Sequence, residues 1–356
     1  MAKKLSVLLI ALLIFLLSAC TDKKIPASTT VSVPPETVSE KVTPVKSEFG
    51  LYLSDKIPMY SVDNKMVLVD SKEVFAYEKD GWFKEPVALV KKGKESRHIL
   101  KSEMEAFRQD GFRISNFGYE LAPLYNQLQD FIKNKSGRYG IYIKNLTSGE
   151  QLIINDEPYS AASIIKLFVM TGVYNEIASG NVIKTPTVSK ALKNMITVSD
   201  NYSSNYLVRT MGKGNYKTGF NLENEMTKSM GCLNTQHLSL FIGYGDYVSF
   251  GRNFVSPVDC GIVLEKIYNK TLISEEYSEE MLGLLKNQQR RNKIPHLLPK
   301  DTVCANKTGE TNTVQSDIGI VYSPNADYII CVLTNNAGSG IRDIQLISRM
   351  VYDYFN

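Results

Sequence analysis

The chain has 356 residues, 43% of them hydrophobic, and a formal net charge of +4. That length leaves room for one large domain with a full core plus something smaller. The charge is mild and spread along the chain, with no basic cluster interleaved with aromatics and no reader motif, so nucleic acid is excluded as a partner.

At the N-terminus, Lys3 and Lys4 precede an apolar run from Leu5 to Ala19, too short for a comfortable membrane-spanning helix and shaped like an export signal. It ends in Leu17-Ser18-Ala19-Cys20, which resembles a bacterial lipobox. Cleavage before Cys20 leaves a thiol for lipid attachment, and two or three acyl chains anchor stably where one is marginal. The other reading is a plain signal peptide with a cysteine near its cleavage site. Both predict export; the lipobox adds a lipid anchor on the extracytoplasmic face of a bacterial membrane. Residues 1–20 are thus read as a lipoprotein signal peptide. Residues 21–48, rich in Thr, Ser, Val, Pro and Lys, read as a flexible linker that cannot bury enough apolar surface to fold.

Residues 49–117 contain an internal repeat at an offset of thirty. Glu73-Val74-Phe75-Ala76-Tyr77 with Asp80-Gly81-Trp82 matches Glu103-Met104-Glu105-Ala106-Phe107 with Asp110-Gly111-Phe112. Each copy reads as a strand, a short helix with its aromatic inward, a glycine stop and a second aromatic. This small α+β module is either a spacer or a contact to the cell wall or a partner.

Residues 118–356 suit an α/β layered (α+β) domain. An amphipathic stretch from Leu121 to Ile132 leads into strands at Gly140 to Ile143 and Gln151 to Ile154. Thr302 to Asn306 is an edge-strand candidate, Ile318 to Tyr322 and Tyr328 to Thr334 form a strand pair, and a helix runs from about Ile341. Strands at both ends of the domain with helices between them predict one antiparallel sheet flanked by helices, plus a helical subdomain.

Little else offers chemistry. Cys232, Cys260, Cys304 and Cys331 have no metal or disulfide-framework spacing and read as buried small hydrophobes. His98, His237 and His296 are too scattered for a zinc site or a Ser-His-Asp triad. No metal or organic cofactor is expected.

Three motifs fall in order: Ser163-Ile164-Ile165-Lys166, Ser199-Asp200-Asn201 and Lys307-Thr308-Gly309. Ser163 opens a run that is apolar nearly all round, hence a buried helix whose first N–H groups favour a developing anion. Lys166 lies on the same face, one turn inside. A base must be neutral to take the serine proton, and an ordinary lysine near pH 7 is neutral ~1 time in 2,500, a handicap of roughly 4–5 kcal/mol. Burial lowers a lysine pKa by enough to remove that handicap. Ser163 is therefore the candidate nucleophile and Lys166 its activator.

Together the motifs resemble those of class A β-lactamases and penicillin-binding proteins, over about two-thirds of the chain. The resemblance implies the β-lactamase/transpeptidase-like fold and a serine acyl-hydrolase. It further implies that Ser199 relays a proton to the leaving nitrogen, that Asn201 holds the substrate amide and Lys166, and that Asp200 ties down its loop. Lys307 then supports Ser199, Thr308 binds a substrate carboxylate, Gly309 lets substrate lie against the strand, and the backbone N–H groups of Ser163 and Glu310 form the oxyanion hole.

The chain departs from class A enzymes where they carry a glutamate that activates the deacylating water. Counting back from Pro257, the corresponding place is Leu240 or Phe241, and residues 232–257 hold a single acid, Asp246. The stretch between Lys166 and Ser199 is shorter than usual. No arginine occurs between Lys307 and Ser323 to meet a substrate carboxylate, which leaves Arg252 or Arg342 as candidates. Three readings follow: a hydrolase that turns over β-lactams, a D-alanyl-D-alanine peptidase acting on peptidoglycan peptides, and a wall-binding or β-lactam-sensing lipoprotein with a persistent acyl-enzyme.

Overall fold

The computed structural model describes residues 57–63, 65–242 and 248–356; Cys20, the linker and Asp246 lie outside them. The described chain opens on two copies of one short motif. In the first, β1 (Ile57–Tyr60) pairs antiparallel with β2 (Met66–Val69), and helix α1 (Val74–Lys79) follows. In the second, β3 (Val87–Lys92) pairs with β4 (Glu95–Leu100), then come α2 (Met104–Gln109) and β5 (Arg113–Asn116), which pairs with the other edge of β3.

The copies share their local geometry. Glu73 and Glu103 each fold back to accept the backbone N–H three residues earlier, at 3.2 and 2.8 Å. Gly81 and Gly111 end the helices at φ +84° and +82°, a left-handed turn that costs glycine nothing. Each helix aromatic meets the next one edge-on, Tyr77 with Trp82 at 5.5 Å and Phe107 with Phe112 at 5.1 Å. Their packing differs. Met59, Val69 and Val74 form a small core of their own, whereas Val90, Ile99, Phe112 and Ile114 join the main core with Phe117, Tyr142 and Ile153. Backbone hydrogen bonds between Phe117 and Ile153, at 2.7 and 3.1 Å, stitch this region to the following domain.

That domain begins with α3 (Ala122–Ile132), β6 (Arg138–Asn145), β7 (Gln151–Ile154) and the short β8 (Tyr159–Ser160). Helices α4 (Lys166–Ala178), α5 (Pro186–Thr197), α6 (Asn201–Met211) and α7 (Tyr216–Ser229) follow, then β9 (Phe254–Val255), α8 (Pro257–Tyr268) and α9 (Glu275–Lys286). The chain closes with β10 (Val303–Glu310), β11 (Val314–Tyr322), β12 (Tyr328–Asn335) and α10 (Gly340–Phe355). Five strands form one antiparallel sheet in the order β10-β11-β12-β6-β7, so the first and last segments of the domain lie side by side.

Alternation along the strands makes the sheet two-faced. In β12, Ile329, Cys331 and Leu333 pack with Val263, Leu264 and Ile267 of α8. Tyr328, Ile330 and Val332 face the other way, onto Leu124 and Leu128 of α3 and Ile344, Ile347 and Val351 of α10. Helix α4 is buried on every side from Lys166 to Tyr174, as its nearly all-apolar sequence predicts. The expected layered fold is therefore present: an antiparallel sheet between helices, with a helical subdomain.

Strand boundaries differ from the sequence reading, β6 reaching two residues beyond Gly140 to Ile143 at each end. Strand β10 continues past Asn306 through Lys307-Thr308-Gly309 to Glu310, and β11 starts at Val314 instead of Ile318. The extra rungs hold buried polar residues, Thr308 opposite Asp317 and Gly309 opposite Ser316. Apolar alternation cannot reveal such rungs, because partners from elsewhere in the fold make them buriable. The four cysteines Cys232, Cys260, Cys304 and Cys331 are buried free thiols.

Candidate active site

The site forms where the start of α4, the turn before α6 and the edge strand β10 converge. Ser163 lies, half-buried, in a 3₁₀ turn (Ala162–Ile165) that runs into α4. The preceding Ala162 has φ +43°, a strained conformation for a residue with a side chain, and it sharpens the entry to the helix. Among the described residues Ser163 Oγ accepts and donates no hydrogen bond, which leaves it chemically uncommitted.

Lys166 is fully buried. Its Nζ donates to the Ser199 carbonyl oxygen and to Asn201 Oδ1, both at 2.6 Å, and lies 3.5 Å from Ser199 Oγ. Burial pushes its pKa down to about 7; the Asp200 carboxylate opposes this and the Arg290 guanidinium assists it. The neutral amine that a general base requires is thus well populated near neutrality.

Ser199 is itself strained, at φ +63°. The conformation turns its hydroxyl between two lysines, 2.9 Å from Lys307 Nζ and 3.5 Å from Lys166 Nζ. Asp200 caps α6, accepting the Ser203 N–H at 2.7 Å, and so fixes the direction in which Asn201 leaves. Lys307 is also fully buried and donates to the Thr308 carbonyl oxygen at 2.8 Å. Burial, then the neighbouring Lys166 charge, hold its pKa well below the ordinary lysine value. Asp317, opposite Thr308 in the register, balances this cluster while accepting bonds from Asn306 Nδ2 at 3.0 and 3.2 Å. Thr308 Oγ1 is buried and has no hydrogen-bond partner among the described residues.

Gly309 explains how close the strand lies to the serine turn. A Cβ added there would sit 2.7 Å from Ile164 Cγ1 and 3.1 Å from the Ala161 carbonyl oxygen. Gly309→Ala is therefore expected to destabilise the fold by about 1–3 kcal/mol through overpacking. Thermal unfolding measures this, and an unchanged Tm would mean that β10 yields freely.

Four positions escaped the sequence reading or were left open by it. Of Leu240 and Phe241, the two positions left open, Phe241 is the one that faces Lys166. Its ring centroid lies 4.3 Å from Lys166 Nζ, while Leu240 is buried in the core. Asn205 grips both backbone groups of Phe241, donating to its carbonyl oxygen at 2.9 Å and accepting its N–H at 3.0 Å. The cations near the site are Arg290 and Lys293, which precede β10, whereas Arg252 and Arg342 are exposed. Asn205 stands one helical turn after Asn201 on α6, a spacing that was available as a signal. For Arg290 and Lys293 no local signal existed.

The comparisons with known proteins agree with this architecture. A family model described as the β-lactamase enzyme family matches residues 123–185 and 181–355. No curated protein sequence matches the chain. Among solved structures, the chain is similar to PBP-A, with 24% identity, coverage of 66% of this chain and 96% of that one, and a TM-score of 0.58. A mutant of PBP-A in acyl-enzyme complex with penicillin-G matches at 24% identity, 66% and 97% coverage and a TM-score of 0.57. A β-lactamase from Sphaerobacter thermophilus matches at 20% identity, 64% and 95% coverage and a TM-score of 0.55. At these identities the structural likeness establishes the fold alone.

Proposed function

The chain belongs to the β-lactamase enzyme family of serine hydrolases, and from that premise we propose that it acylates on Ser163 with β-lactams and related amides and releases β-lactam-derived acyl groups slowly. Neutral Lys166 takes the proton from Ser163 Oγ, which attacks the substrate carbonyl. The backbone N–H groups of Ser163 and Glu310 receive the developing oxyanion, a contribution of about 3–4 kcal/mol per donor. Ser199, held beside both lysines, delivers a proton to the leaving nitrogen as the amide C–N bond breaks. Asn201 orients the substrate amide together with Lys166, and the free Thr308 hydroxyl meets the substrate carboxylate.

The observation that carries the slow second half-reaction is the Phe241 ring over Lys166. An aromatic side chain has no lone pair with which to take a proton from water. The count back from Pro257 puts a class A glutamate at Leu240 or Phe241, and neither is an acid; losing a positioned base costs about 10²–10⁴ in rate. The natural acyl donor in this reading is a cell-wall peptide ending in D-alanyl-D-alanine. Penicillin-G, seen as an acyl-enzyme in the PBP-A mutant, serves as its mimic. The same proposal puts the enzyme outside a bacterial membrane, held by lipid on Cys20, with residues 49–117 available for cell-wall contact.

The test is intact mass against time after excess benzylpenicillin, with Ser163→Ala beside the wild type. We expect a lasting adduct of one penicilloyl group on the wild type and none on the variant. Rapid drug consumption with only a fleeting adduct would replace this reading with an efficient β-lactamase. Absence of any adduct would remove Ser163 from the chemistry.

A further inference from the structure

Lys293 is a buried charge, balanced through space by Asp317 and at its Nζ only by the partly exposed Glu310. It lies between α9 and β10, just before a 3₁₀ turn (Ile294–Leu297), and its side chain is inaccessible to solvent. Nζ donates to the Gly309 carbonyl oxygen at 3.0 Å and to the Ser316 carbonyl oxygen at 3.3 Å, and reaches Glu310 Oε2 at 3.4 Å. That carboxylate is 41% exposed and also faces Arg290, at 3.9 Å, so it is a diluted partner. Gly309 and Ser316 are opposite residues of β10 and β11, so the ammonium straddles one rung of the sheet. Stability alone does not account for it, because a buried ion with imperfect pairing is commonly no better than an apolar residue of the same volume.

The carbonyl that Lys293 grips belongs to the peptide unit whose other end is the Glu310 N–H. None of the described peptide bonds is cis, so the C=O and N–H of this rigid plane point in opposite directions. A cation fixed on the oxygen therefore sets the direction of the N–H. It also draws electron density through the amide and strengthens the N–H as a donor. We propose that Lys293 is a positioning residue for acylation: by holding the Gly309 carbonyl it aims and polarises the Glu310 N–H toward the substrate oxyanion. The proposal rests on the acylation of Ser163 argued above. It concerns a residue whose side chain has no solvent access and which lies outside all three motifs.

The experiment compares wild type, Lys293→Met and Lys293→Arg with benzylpenicillin, separating the binding constant from the acylation rate constant. The infrared band of the acyl-enzyme ester carbonyl is recorded for each, since that band reports the strength of the oxyanion-hole donors. Lys293→Met is expected to acylate at least about tenfold more slowly, part of the loss for removing a donor outright. Its binding constant should stay within about twofold, the pattern of an interaction felt in the transition state. Its ester band should move to higher wavenumber, and Lys293→Arg should recover most of both effects. Where the methionine variant does not fold, Lys293→Gln, which keeps a donor without the charge, is expected to show a smaller shift in the same direction. Acylation within twofold of wild type, or slow acylation with the ester band unmoved, would overturn the proposal and leave Lys293 a structural role only. Failure of the Ser163 reading looks different: no adduct forms on any of the proteins, wild type included.

Discussion

Phe241→Glu is expected to shorten the lifetime of the penicilloyl-enzyme by about 10²–10⁴-fold, the range that a positioned general base supplies. The backbone at this position is held at both polar atoms by Asn205, so the substitution changes the side chain without releasing the loop. The ring now lies 4.3 Å from Lys166 Nζ, which puts a carboxylate grown from the same Cβ within reach of the amine. A second effect has the opposite sign. A carboxylate beside Lys166 favours its ammonium form, so the pH at which acylation becomes fast should move upward. The measurement is the decay of the adduct by intact mass after removal of free drug, over a range of pH. A variant that holds its adduct as long as the wild type would show that the missing base is not what makes deacylation slow.

Lys166→Met should reduce the acylation rate constant by about 10²–10⁴ while leaving the fold intact, since methionine fills the same buried channel with an apolar chain. In the wild type the rate should follow the neutral amine. With the lysine pKa pushed down to about 7 by burial, acylation rises with pH below that point and levels off above it. Each unit of pH below the midpoint should cost about tenfold, because the protonated amine accepts nothing. Stopped-flow acylation from acid to mildly alkaline pH measures the profile. A flat profile, or a methionine variant that acylates normally, would assign the proton transfer to another group. Lys307 would then be next in line, because its pKa is also depressed and its Nζ is 2.9 Å from Ser199 Oγ.

Much of this protein is legible without coordinates because the relevant signals are local. The short apolar runs of Gln151 to Ile154 and Tyr328 to Thr334 mark strands that the structure reproduces almost residue for residue. The apolar run after Ser163, interrupted only by Lys166 as far as Met170, announces a helix with no exposed face, and a lysine inside it calls for a chemical reason. The thirty-residue repeat likewise predicts a helix, a glycine stop and an aromatic pair in each copy, and each copy contains one of each. Polar strand residues were less readable. Ser316 and Asp317 look like turn residues until Lys293, Asn306 and the Ile294 N–H are brought against them.

By itself the sequence determined the fold class and the three motifs, because short apolar strand runs and the spacing of Ser163 to Lys166 depend only on residues a few positions apart. It also excluded a histidine triad through scarcity. Tertiary structure decided what sits on the far side of the lysine. Leu240 and Phe241 are equivalent in composition arguments, and only the grip of Asn205 directs Phe241 onto Lys166 while Leu240 enters the core. It also decided that Lys293, fourteen residues before the Lys307 motif, closes on the Gly309 carbonyl. Side-chain contacts across a sheet depend on register and on which loop lies beneath it, and neither leaves a mark in local spacing.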